Sequence, residues 1–101
     1  MLEIEDIRAL CKDENILLTE HLLSRMRQRN IKFTDIKQAI MAGEIIEQYP
    51  TDYPFPSCLI NFDNIHIVCS IGGERLYLIT AYHPSPEQWE DDGRKRKEIK
   101  L

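Results

Sequence analysis

A chain of 101 residues with 43% hydrophobic and 30% charged positions has the makeup of one ordinary globular domain, too short for two independent cores and too apolar for a disordered tail. No apolar run approaches the roughly 20 residues that span a bilayer, and the start, Met1-Leu2-Glu3-Ile4-Glu5-Asp6, lacks the basic and apolar regions of a signal peptide, so the chain reads as cytoplasmic with no membrane partner. A net charge of −4 argues against a general nucleic-acid coat.

Ile4, Ile7, Leu10 and Cys11 recur at helical spacing and predict a first helix near residues 2–13. A second runs from about Thr19 to Arg29: Thr19 suits the N-cap, Glu20 the first turn, and Leu18, Leu22 and Met26 form an apolar stripe joined by Leu23. Thr34 is the expected cap of a third helix, with Ile36, Ala39 and Ile40 on its apolar side and Gly43 as its stop. Beyond Gly43 the period changes to that of strands. Residues 44–48, 57–62, 65–71 and 75–82 are expected strands, and the three prolines within 49–56 require a loop. Asp63-Asn64 and Gly72-Gly73 are expected hairpin turns. The fold class is therefore α+β, with N-terminal helices packed on a small curved antiparallel sheet. The domain covers residues 1–101, and 90–101 form a charged tail expected to fray.

A two-residue turn at Asp63-Asn64 pairs Phe62 with Ile65 and puts Cys58, Ile60 and Phe62 on one face with Ile65, Ile67, Cys69 and Ile71. That face is apolar and must receive the helices. The opposite face, with Asn61, His66 and Ser70, is mixed and expected to be partly open. Three cysteines, Cys11, Cys58 and Cys69, form no Cys-x-x-Cys pair, so no metal site and no disulfide framework is expected. Cys58 and Cys69 read as buried thiols.

Charge is distributed unevenly. Residues 19–32 carry Arg25, Arg27, Arg29 and Lys32 against Glu20 alone, and a second basic run, Arg94-Lys95-Arg96-Lys97, is followed by Glu98 and Lys100. Local basic patches on an acidic body suit a small anionic ligand or a short stretch of phosphate backbone; a solvated helix face and a frayed tail are the plainer reading. Within the first patch, His21, Arg25 and Arg29 are spaced by four and share one helical face beside the apolar stripe. A residue type that exchanges protons near neutrality, beside two permanent guanidinium groups, is what phosphodiester chemistry needs. One group moves a proton while the others hold charge that grows in the transition state.

The order His21, Arg25, Arg29-Asn30-Ile31, Asp35-Ile36, Gly43-Glu44-Ile45-Ile46-Glu47, Tyr49-Pro50, Pro56-Ser57-Cys58-Leu59-Ile60, His66-Ile67-Val68 and Thr80-Ala81-Tyr82-His83-Pro84 resembles the domain-of-unknown-function family DUF4258. That resemblance implies a relationship to the RelE-like and colicin-like ribonuclease toxins, with two helices against a curved antiparallel sheet. It implies a metal-independent endoribonuclease acting on messenger RNA without a cofactor. It also implies a cognate antitoxin with a zinc-binding, Cys-x-x-Cys-bearing domain and a DNA-binding helix-turn-helix.

Metal-free RNA cleavage makes the 2′-hydroxyl the nucleophile and needs a base, an acid and cations around the phosphorane. His21 and His66 are the candidate base and acid, and the sequence does not say which is which. Arg25 and Arg29 are the phosphate clamp. Tyr82 orients substrate or supplies a proton, and Thr80 and Lys32 are candidate substrate-binding residues. A two-residue Gly72-Gly73 turn puts Thr80 and Tyr82 on the apolar face, opposite His66. A three-residue turn or a bulge brings them to the face of His66 instead. Trp89 is expected to tuck against the body, and Tyr49, Tyr53 and Phe55 to pack over the sheet, while His83 reads as a surface residue. Two other functions fit the same residues: a non-catalytic RNA- or protein-binding module, and an adaptor that uses its sheet edge.

Overall fold

In the computed structural model, which describes residues 1–97, the first helix is shorter than its periodicity predicts. α1 spans Ile4–Ala9 with Ile7 fully buried, and Leu10 and Cys11 reach the core from the turn that follows. A helix this short is not stable alone. Arg8 anchors it, donating from Nε to the Ile40 carbonyl at 3.0 Å and from Nη2 to the Gly43 carbonyl at 2.9 Å. After a 3-10 turn at Asp13–Asn15, Ile16–Leu18 form β1. This strand, which the apolar periodicity does not reveal, runs parallel to the last long strand and pairs Ile16 with Leu76 and Leu18 with Leu78. The sheet is therefore mixed, not wholly antiparallel.

α2 (Glu20–Arg29) is capped as its residues predict. The Thr19 hydroxyl accepts the Leu22 amide hydrogen at 3.0 Å, and Asn30 ends the helix at φ 52°. α3 (Phe33–Ala42) corrects an expectation: Thr34 is not its cap. Lys32 holds that position, and the Asp35 carboxylate accepts the Lys32 amide hydrogen at 2.9 Å, so the third residue of the helix satisfies the start. Gly43 stops α3 in an ordinary conformation, φ −86°. Glycine is required there by close approach, since a Cβ would lie 2.4 Å from the Ala39 carbonyl oxygen and 2.6 Å from that of Asn61.

The main strands are β2 (Glu44–Tyr49), β3 (Ser57–Phe62), β4 (Ile65–Gly72) and β5 (Arg75–Tyr82), and the sheet order is β1-β5-β4-β3-β2. Asp63 and Asn64, at φ 46° and 61°, make the tight turn that pairs Phe62 with Ile65. The next hairpin turns one residue later than expected, at Gly73-Glu74, and pairs Gly72 with Arg75. The apolar face forms as expected: Cys58, Ile60, Ile67 and Cys69 are fully buried with Leu22, Ile36, Ala39 and Ile40 of the helices.

The other face is covered, contrary to expectation. Trp89–Glu90 (β6) and Lys95–Arg96 (β7) pair as a small hairpin, so 90–97 are not frayed; residues 98–101 of the expected tail lie outside the described residues. This hairpin folds back over β4 and seals His66, which has no exposed surface. At the far end of the same face the Phe55 ring stacks on Tyr77, with centroids 5.8 Å apart, while Tyr53 stays 94% exposed and packs on nothing.

Candidate functional site

An uninterrupted β4–β5 ladder would turn Thr80 and Tyr82 toward the helices. It is interrupted. Cys69 pairs with Leu78 but Val68 pairs with Thr80, so Ile79 is the extra residue of a bulge. Past Ile79 the alternation reverses and Tyr82 lies directly opposite His66. Of the two devices that bring them together, the bulge is the one present. Thr19 holds it, because the hydroxyl that caps α2 also donates to the Ile79 carbonyl at 2.7 Å. Arg29 Nη1 donates to the next main-chain oxygen but one, that of Ala81, at 3.1 Å. These two bonds dock α2 along the end of β5. Thr19→Ala removes both a cap and the partner of a main-chain carbonyl, and should destabilise the fold by about 1–3 kcal/mol in urea unfolding. Thr19→Ser, which keeps the hydroxyl, should recover most of that loss.

The docking closes an open cavity of about 620 Å³. One wall is the row His21, Arg25 and Arg29 of α2; another is Thr80 and Tyr82 of β5. The remaining lining, His83, Ser85, Gln88, Trp89 and Arg96, follows β5 in the chain. No carboxylate is among the described lining residues, although the whole chain carries a charge of −4. Arg25 is oriented by its bond from Nη1 to Gln28 Oε1 at 2.7 Å. Arg27 is exposed and does not line the cavity.

Arg96 is the residue that the basic run of the tail does not single out. Its guanidinium donates to Glu47 through Nε at 2.7 Å and Nη2 at 3.1 Å, and lies 4.6 Å from the centre of the Trp89 ring. Glu47 also accepts from the Tyr49 hydroxyl at 2.5 Å. The Arg96 bonds, more than the Tyr49 bond, hold the Glu47 carboxyl below its ordinary value. Four basic residues in a row predict a patch, but the pairing with Glu47 on β2 decides which of them faces the cavity.

Two expected site residues are elsewhere. Lys32 stands exposed at the start of α3 and is not part of the cavity lining. His66 faces the right side of the sheet but is not open to it. Its ring lies edge-on to Trp89, with centroids 4.4 Å apart, and behind Tyr82 at 5.2 Å. His66 Nδ1 is 3.3 Å from the Tyr82 hydroxyl, and Nε2 is 2.6 Å from the Gly93 carbonyl. Burial pushes the His66 pKa down, and the Gly93 bond opposes that shift. Burial raises the Tyr82 pKa and keeps its phenol protonated.

A histidine held neutral makes the folded state bind fewer protons than the unfolded one below the ordinary value of 6.5. Stability should therefore fall as the pH drops below about 6.5, and the loss should stop once the folded pKa is passed. Urea midpoints of the parent and of His66→Gln across that range test this. The variant's slope between pH 6.5 and the carboxylate range should be the shallower.

The fold and cavity define a small α+β protein with a basic cavity, lined by no carboxylate among the described residues, where helix α2 meets the end of the sheet. The chain belongs to the family described as Domain of unknown function (DUF4258), which residues 18–83 match. The match takes in His21, Arg25, Arg29, His66, Thr80 and Tyr82 and stops before Gln88, Trp89, Gly93 and Arg96. No curated protein and no solved structure matches the chain. Among the described residues no helix is long and apolar enough to cross a membrane.

Proposed function

We propose that the protein is an endoribonuclease that cleaves messenger RNA by side-chain acid–base chemistry, acting in the cytoplasm as the toxin of a toxin–antitoxin pair. The observation that carries the chemistry is the cavity: three arginines, two histidines and a tyrosine hydroxyl converge there on an acidic protein. Such a lining attracts a phosphodiester and stabilises the added charge of a phosphorane. Arg25 and Arg29 grip the phosphate, His21 exchanges a proton with a reacting oxygen, and Tyr82 and Thr80 hydrogen-bond the ribose. The toxin role, and a zinc-binding antitoxin with a helix-turn-helix as partner, rest on the resemblance to the RelE-like and colicin-like ribonucleases.

Purified protein incubated with a short RNA should yield a 2′,3′-cyclic phosphate and a 5′-hydroxyl, with a chelator present or absent. A strand with deoxyribose at the scissile position should bind and stay intact. Chelator-sensitive cleavage would overturn the metal-independent chemistry. Tight, salt-sensitive binding with no cleavage of any RNA would replace the enzyme with a non-catalytic RNA-binding module, a reading favoured by the sealing of His66. In bacteria, expression should slow growth and an adjacent gene product should relieve it.

A further inference from the structure

Among the described residues His66 is the one buried titratable side chain next to the cavity with no assigned work, and its two ring nitrogens have different partners. Nε2 faces the Gly93 carbonyl at 2.6 Å, and a carbonyl only accepts, so Nε2 carries the proton. In the neutral ring Nδ1 then holds a lone pair, and its neighbour at 3.3 Å is the Tyr82 hydroxyl, which must be the donor. As donor to Nδ1, Tyr82 turns its proton toward His66, and the lone pairs of its oxygen stay free to accept on the cavity that Tyr82 lines. The other charged groups that act on this pair are Glu47, Arg96 and Arg29, of which Glu47 and Arg96 are paired to each other.

We propose that Tyr82 is the proton acceptor for the substrate's 2′-hydroxyl and that His66, seated on the Gly93 carbonyl, is the positioning residue that takes the tyrosine's own proton. This rests on the ribonuclease reading and assigns the base and acid within it. The 2′-hydroxyl gives its proton to the Tyr82 oxygen while Tyr82 passes its proton to His66 Nδ1. The 2′-oxygen bonds to phosphorus, the bond from phosphorus to the 5′-oxygen breaks, and the leaving oxygen takes a proton from protonated His21. His66 later returns its proton through Tyr82 to solvent, and His21 regains one. The Gly93 carbonyl stabilises the imidazolium that forms on His66 between these steps. The raised Tyr82 pKa fits a proton passed through the phenol rather than a standing phenolate.

The test uses His66→Gln, whose amide can donate to Gly93 and accept from Tyr82 but cannot take up a proton. Cleavage by this variant should fall on the order of 10²-fold in kcat with KM near the parent's, as should Tyr82→Phe, and the double variant should lose no more than either. Nitrogen-15 spectra of the parent should show His66 as the Nε2–H tautomer, with the Nδ1 resonance moving in Tyr82→Phe as its hydrogen bond is lost. An Nδ1–H tautomer, or a folded His66→Gln with kcat within twofold of the parent's, overturns the relay and leaves the ribonuclease reading standing. A parent that cleaves no RNA overturns the ribonuclease reading, and with it the relay's catalytic role.

Discussion

Arg25→Ala and Arg29→Ala are each expected to lower RNA cleavage on the order of 10²-fold, the scale of removing one preorganised donor from a site where charge develops. Both side chains line the cavity and both are held, Arg25 by Gln28 and Arg29 by the Ala81 carbonyl. Charge on the phosphoryl oxygens grows toward the phosphorane, so most of the effect of each guanidinium should appear in kcat rather than in binding. Arg27 is the control on the same helix, exposed and outside the cavity. Its replacement should change cleavage several-fold at most, through screened attraction over a distance. Arg25→Lys should recover only part of the loss, because an ammonium does not copy the planar fork. Arg29→Ala also frees a main-chain oxygen, so its thermal midpoint must lie near the parent's before its rate is interpreted. Equal losses in Arg25→Ala and Arg27→Ala would mean a diffuse electrostatic patch and no clamp.

The second large effect is expected from Gly93→Ala. Gly93 has φ 84°, and a Cβ there would stand 2.7 Å from Pro84 Cγ, 2.9 Å from Asn61 Oδ1 and 3.2 Å from His66 Nε2. The substitution combines an unfavourable backbone with overpacking against a buried face, at a cost on the order of 3 kcal/mol. Release of the β6–β7 hairpin is the cheapest relief. Trp89, 5% exposed, is the only tryptophan in the chain, so a red shift of the intrinsic fluorescence would report that release directly. Cleavage should fall with it, since His66 loses the Gly93 carbonyl. Gly73→Ala separates the causes: φ is 62° there, but nothing lies within 4 Å of the added carbon, so only the backbone term of about 1 kcal/mol remains. A Gly93→Ala variant as stable as Gly73→Ala would show that the hairpin does not press on His66.

The residues that sequence placed well are those governed by neighbours in the chain. Thr19 caps α2, Asn30 ends it, and the spacing of four between His21, Arg25 and Arg29 puts all three along one wall of the cavity. Asp63 and Asn64 set the β3–β4 register, which divides Cys58, Ile60, Ile67 and Cys69 from Asn61 and His66. Thr34 as a cap and a first helix over 2–13 fail for different reasons: Asp35 satisfies the helix start at Lys32 locally, whereas Arg8 ties the end of α1 to the Ile40 carbonyl 32 residues away.

The sequence by itself thus determined the class of fold, the apolar face and the basic row, because periods of 3.6 and 2 act over a few residues. What only the tertiary structure decided is which other groups meet that row. The bulge at Ile79 reverses the face of Thr80 and Tyr82, and its partner is a threonine 60 residues earlier. The burial of His66 and the entry of Arg96 depend on contacts 27 and 49 residues away, to Gly93 and Glu47. No window of sequence contains both ends of such a contact. The site is legible only once the sheet has brought them together.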